Sequence, residues 1–176
     1  MGDGRRSRNE AGTVNPADFK RALARLAGGI VVVTTTDPGG DPAGLTATSV
    51  CSVSLEPPLV LVCLGSGSRT HDAIVASGRY ALNVLGAGQF DLSAHFARSG
   101  ENKFDGLEWA TGPHGSPILE GAIATCECEI EQAVPAGDHT IFIARVMEAV
   151  AEENPEALPL LWFRGAHRLL SDEGGD

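Results

Sequence analysis

Apolar residues fall at helical spacing only near the start of the chain. Phe19, Leu23 and Leu26 recur three to four positions apart after Asn15-Pro16, a cap residue followed by proline in the first helical position, with Asp18 in the first turn. The pattern predicts a helix that ends at Gly28-Gly29 and packs its Phe19/Leu23 stripe on the strands beyond it. From there on the pattern is that of strands. Residues 30–36 are β-branched throughout and stop at Asp37-Pro38-Gly39-Gly40-Asp41, a turn signal. Residues 45–54 read as one strand rich in Thr, Val and Ser, and residues 59–64 as a continuous apolar run buried on both faces. Further strands are expected over 80–85, 122–132, 139–150 and 160–163. Apolar Cys126, Cys128 and Ile130 alternate with Glu127, Glu129 and Glu131, the period of a half-exposed antiparallel strand.

Helical interruptions are short, one near residues 69–77 and another near 89–98. Residues 99–117 are rich in Gly, Pro and polar side chains and read as a long functional loop. Many strands, few helices and mostly short links predict a β-barrel with helices at its ends; the regular strand–helix alternation of a doubly wound sheet is missing.

Composition refines this only slightly. With 176 residues and 43% hydrophobic side chains, one core forms without a disulfide or metal staple. The expected organisation is a disordered tail over 1–14, one domain over 15–170 and a disordered acidic tail over 171–176. The longest apolar runs fall short of the ~20 residues of a membrane span, and no signal-peptide pattern opens the chain, so a cytoplasmic protein with no membrane partner is expected. Thirteen basic against twenty-three acidic residues give a net charge of −10. With no basic patch studded by aromatics, a nucleic-acid partner is not expected.

Candidate chemistry is sparse. The four cysteines, Cys51, Cys63, Cys126 and Cys128, read as small buried hydrophobes, and no Cys or His pairs stand at metal-ligand spacing, so no metal is expected. Gly65-Ser66-Gly67-Ser68-Arg69-Thr70 follows a strand and opens a helix, where backbone N–H groups, hydroxyls and a guanidinium can serve an anion; the same residues also suit a plain capped turn. Thr46-Ala47-Thr48-Ser49 and Cys51-Ser52 leave backbone amides accessible to a flat heteroaromatic ligand, or form an ordinary edge strand. Gly137-Asp138 is a hairpin turn that sets His139 at the start of a strand, in reach of an amide or phosphate, or in a structural role. Lys103-Phe104 offers a cation and a ring to cover a ligand, or a solvated lysine beside a core phenylalanine.

Taken in order, several segments resemble the flavin reductase family: Gly29-Ile30-Val31-Val32-Val33-Thr34-Thr35, Gly44-Leu45-Thr46-Ala47-Thr48-Ser49, Ser52-Val53-Ser54-Leu55-Glu56-Pro57-Pro58, Tyr80-Ala81-Leu82-Asn83-Val84-Leu85, Phe96-Ala97, Lys103-Phe104, Gly137-Asp138-His139-Thr140 and Leu161-Trp162-Phe163-Arg164-Gly165. The likeness runs from about Pro16 to Leu170. It implies a split antiparallel β-barrel with a few short flanking helices, forming a homodimer. It implies that Thr46, Ala47, Thr48, Ser49, Cys51, Ser52 and Val53 lie along the flavin ring. Gly67, Ser68, Arg69 and Thr70 would hold its phosphate, and Phe96, Lys103 and Phe104 would lie close to it. Gly137, Asp138 and His139 would meet the nicotinamide, together with His167, which stands where the family often has tyrosine.

The implied reaction is hydride transfer from NADH, with NADPH the alternative, to FAD, with FMN the alternative. The reduced flavin would leave for a partner flavin-dependent monooxygenase. The same architecture also allows a non-catalytic flavin- or haem-binding protein, or an enzyme like pyridoxamine-phosphate oxidase.

Overall fold

The computed structural model describes residues 13–100 and 102–170, so residues 1–12 of the tail expected over 1–14, and all of the tail expected over 171–176, lie outside the described residues. The elements are α1 (Pro16–Leu23), β1 (Gly28–Gly29), β2 (Val31–Thr36), β3 (Pro42–Ala47), β4 (Val50–Ser54), β5 (Leu59–Gly65), α2 (Arg69–Ser77), β6 (Arg79–Val84), α3 (Phe90–Ala97), β7 (Trp109–Thr111), β8 (Pro117–Leu119), β9 (Ala124–Ala136), β10 (His139–Ala151), β11 (Leu161–Phe163) and β12 (Ala166–Arg168). Turn and cap chemistry sets several of these ends. Asn15 Oδ1 accepts from Ala17 N at 2.8 Å at the start of α1. Ser68 Oγ accepts from His71 N at 3.1 Å at the start of α2, which closes at Gly78 with φ 70°.

Seven strands form one sheet in the order β3-β2-β6-β9-β10-β5-β4, every pair antiparallel. β3 and β4 occupy its opposite edges, yet only Thr48 and Ser49 separate them in the chain. That stretch spans about 10 Å at most, so the two edges must meet and the sheet rolls into a barrel. Ser49 pins the seam: its carbonyl accepts from Cys63 N at 3.0 Å and its hydroxyl donates to the Cys63 carbonyl at 2.7 Å. Along the rest of β3 the only paired strand among the described residues is β2, so the barrel is split there.

Two apolar clusters share β2. Val31 and Val33 join Val62, Leu64, Tyr80, Leu82, Phe142, Ala144 and Ile74 of α2. Val32 on the other face joins Ile30, Leu85, Phe96, Phe104, Leu119 and Leu160. A strand covered on both sides carries no alternation, which is what the unbroken valine run reports. Buried Asn83 binds the elements around it. Its Nδ2 donates to Val32 O at 3.1 Å and Thr34 Oγ1 at 3.0 Å, and its Oδ1 accepts from Leu119 N at 2.8 Å.

Six expectations are corrected. Residues 45–54 are two strands, because the chain changes edge at Thr48-Ser49. The α1 stripe is exposed, Phe19 at 54% and Leu23 at 49%, since no other element covers it among the described residues. On β5 only Val62 and Leu64 are buried, because Cys63 on the opposite face looks into a cleft. Accordingly the cysteines are not uniformly buried: Cys128 is buried, Cys63 and Cys126 are intermediate, and Cys51 is exposed at the sheet edge. The loop over 99–117 contains β7, paired with β8, and its turn covers Glu127, which is only 2% exposed instead of facing solvent.

Candidate functional site

Where the barrel splits, β3, the start of α2, the loop after α3 and His139 surround a cleft of about 540 Å³. One wall is β3. In an antiparallel pair, alternate residues turn their N–H and C=O away from the partner strand. Gly44 is such a residue, since its carbonyl accepts from Lys103 Nζ at 3.1 Å on the side away from β2. Thr46, two positions on, therefore presents its backbone to the same open edge. Its hydroxyl is already used, donating to Ser93 O at 2.7 Å. The side chains of Thr48 and Ser49 are exposed, while Ala47 is buried.

The opposite end is built for an anion. Gly67, Ser68, Arg69 and Thr70 line the cleft at the N-terminus of α2, where the first N–H groups point outward along a positive helix end. The loop is tied to the neighbouring hairpin: Ser66 N and Oγ both donate to Asp138 O, at 3.1 and 2.9 Å. Arg69 Nη2 meets Asp37 Oδ2 at 3.1 Å. The guanidinium beside it holds the Asp37 carboxyl below the usual range.

His139 stands opposite Gly65 in the β5–β10 register, half exposed, with its Nδ1 2.7 Å from Asp138 Oδ1. The imidazole lowers the Asp138 pKa, and Nδ1 facing this carboxylate leaves Nε2 on the Gly65 side of the cleft. Gly137, with φ 67°, makes the turn that begins β10.

The structure thus brings Thr46, Ala47, Thr48, Ser49, Gly67, Ser68, Arg69, Thr70, Phe96, Lys103 and His139 around one cleft. Other expected residues lie off its lining. Cys51, Ser52 and Val53 are exposed on β4. Phe104 is 6% exposed in the second core, edge-on to Phe96. Gly137 and Asp138 support His139 from behind. His167 sits between Phe90 and Trp162, with Nε2 3.0 Å from Ser93 Oγ, and Ser93 O in turn accepts from Thr46 of the cleft wall. Lys103 is a wall residue: its ammonium donates to Gly44 O and to Phe96 O at 3.0 Å, and burial lowers its pKa. Cys63, Arg98 and Asn102 also line the cleft, and no local motif pointed to them. The alternation that puts Cys63 there is hidden inside an apolar run.

Among the described residues no three His, Cys, Asp or Glu side chains are grouped to hold a metal ion, and no helix is long and apolar enough to cross a membrane. The donor set instead fits a flavin: an open strand edge for a flat polar ring at one end, and a helix N-terminus with an arginine for a phosphate at the other.

Residues 23–171 match the flavin reductase like domain. The chain is 37% identical to FMN reductase (NADH) RutF from Stutzerimonas stutzeri over 88% of each sequence. It is 38% identical to HsaB, the reductase subunit of a flavin-dependent monooxygenase from Rhodococcus jostii, over 89% of this chain and 79% of that one. A "Probable flavin reductase" from Rhizobium meliloti is 41% identical over 87% of this chain, which spans about half, 48%, of that relative's length. Among solved structures, the NADH:FAD oxidoreductase SgcE6 of Streptomyces globisporus, in complex with NAD and FAD fragments, superimposes with a TM-score of 0.84 at 36% identity, covering 92% of this chain and 98% of that one. On sequence and on fold together, the chain belongs to the flavin reductase like domain family.

Proposed function

We propose that the chain is an NADH-dependent flavin reductase whose reduced flavin leaves for a partner flavin-dependent monooxygenase. The observation that carries this reading is the single cleft that gathers the β3 edge, the α2 N-terminus and His139. A flavin bound there supplies the ring that accepts a hydride from NADH; the chain supplies position and exclusion of water. Backbone N–H groups at Thr46 and Thr48 meet the ring edge that gains negative charge, a preorganised stabilisation. Ser68, Arg69 and Thr70 hold the phosphate. His139, steadied by Asp138, turns Nε2 to the nicotinamide amide, while Phe96 and Lys103 build the wall behind the ring.

FAD is the flavin proposed, in keeping with SgcE6; RutF is named for FMN, and both flavins carry the phosphate that the α2 end suits. NADH is the proposed donor, because an extra phosphate on NADPH would meet a chain of net charge −10. HsaB, named as a monooxygenase reductase subunit, supports the partner. A cytoplasmic homodimer, covering the exposed α1 stripe, completes the reading.

The test is NADH consumption by the purified chain with added FAD or FMN. The expected result is a rate saturable in flavin and slower with NADPH. A rate equal to that of NADH with free flavin alone would remove the reductase reading in favour of a flavin-binding protein.

A further inference from the structure

The turn between β2 and β3 carries two carboxylates, and both face the guanidinium at the anion end of the cleft. Arg69 Nη2 lies 3.1 Å from Asp37 Oδ2 and 3.9 Å from Asp41 Oδ2. Asp37 is the more confined of the two. Its other oxygen accepts from Gly39 N at 2.9 Å and from Asp41 N at 3.0 Å, and its side chain is 22% exposed against 77% for Asp41. The turn therefore fixes this carboxylate through its own backbone, and the long flexible arginine comes to it.

Arg69 is also the first residue of α2 and lines the cleft. Its charge is thus shared between a fixed carboxylate on one side and the cleft on the other. An anion entering the cleft competes with Asp37 for the same guanidinium. A protein that must give up its flavin after each turnover gains from such competition, since it weakens the hold on the phosphate without disturbing the ring.

We propose that Asp37 is a positioning residue that holds the Arg69 guanidinium at the rim and lowers the affinity of the cleft for the phosphate-bearing end of a flavin. The inference rests on reading this cleft as the flavin site. It makes Asp37 a determinant of how strongly the chain distinguishes flavins with a phosphate from riboflavin, which has none.

Asp37→Asn tests it, because the asparagine keeps the Oδ1 acceptor for the two turn N–H groups and removes the charge. The intact protein is titrated with FMN and with riboflavin, following flavin fluorescence. The expected result is FMN bound about twofold to fivefold tighter in D37N, the range of an exposed ion pair. Riboflavin affinity stays unchanged, and the gain disappears in the D37N/R69Q double variant. Asp41→Asn gives a smaller gain in the same direction and serves if D37N folds poorly. FMN affinity unchanged or weakened in these variants, with R69Q alone still losing FMN, overturns the role of Asp37 and leaves the site standing. FMN and riboflavin bound by R69Q as by the unaltered chain would remove the phosphate from Arg69 and the proposal with it.

Discussion

His139 shows how much a single side chain owes to its immediate neighbours. The Gly137-Asp138 turn places it at the first position of β10, and Asp138 takes its Nδ1. In the proposed site, replacing it with alanine removes one ring contact to the nicotinamide and nothing from the phosphate end. His139→Ala is expected to raise the KM for NADH about tenfold, the worth of one hydrogen bond, with flavin affinity nearly intact. Steady-state kinetics at saturating flavin check this, and equal losses for both ligands would move His139 out of the nicotinamide site. Cys128 is a residue-scale case of a different kind. Burial, then the neighbouring Cys126 and Glu127, push its thiol from the usual 9.0 up to about 12, and burial raises buried Tyr80 as well. Both groups are neutral in the fold, and their folded pKa values exceed the unfolded ones. The stability Cys128 contributes is complete below about pH 9 and is lost as pH rises through about 12, and that of Tyr80 is lost at still higher pH. Denaturation midpoints are expected to fall from about pH 9 upward, and a profile flat to about pH 11 would contradict the burial argument.

Elements whose ends are set by local chemistry were legible in the sequence. Ser68 and Gly78 bound α2 at the expected residues, and Gly137-Asp138 joins β9 to β10 as a hairpin turn requires. Elements whose fate depends on distant partners were not. Nothing local at Thr48-Ser49 announces that the chain leaves one sheet edge for the other. Glu127 alternates with apolar neighbours as a solvent-facing residue should, yet the turn between β7 and β8 folds over it. Its carboxylate accepts from His114 N and Ser116 N at 3.1 Å, and it sits so close to Gly112 that a Cβ there would collide. Glu127→Gln puts an amide N–H₂ against those backbone donors. It is expected to cost about 2–3 kcal/mol in chemical denaturation, the scale for a buried acceptor of charged hydrogen bonds. A change under about 0.5 kcal/mol would show that the turn does not depend on the carboxylate.

At the scale of the whole molecule, the sequence pointed to a barrel and to most of the cleft, including the α2 end, His139 and the Thr46–Ser49 wall. It missed which hydroxyls and cations are already engaged: Thr46 on Ser93, Lys103 on two carbonyls, Arg69 on Asp37. Those pairings join residues more than thirty positions apart, except for Lys103 with Phe96, and no spacing rule reports them. The exposed Phe19 and Leu23 face of α1, beside Leu26 at 71% exposure, is the other global feature, one that no other element covers among the described residues. In light scattering the unaltered chain is expected to run as a dimer, and a Phe19→Glu/Leu23→Glu variant as a monomer. A monomeric unaltered chain would contradict the homodimer. Whether this cleft carries electrons from NADH to flavin is read without intermediaries by anaerobic spectroscopy. With catalytic amounts of the chain, NADH and excess FAD, flavin absorbance is expected to fall in step with NADH, over many turnovers and far faster than without protein. Bleaching at the protein-free rate would refute electron transfer in the cleft.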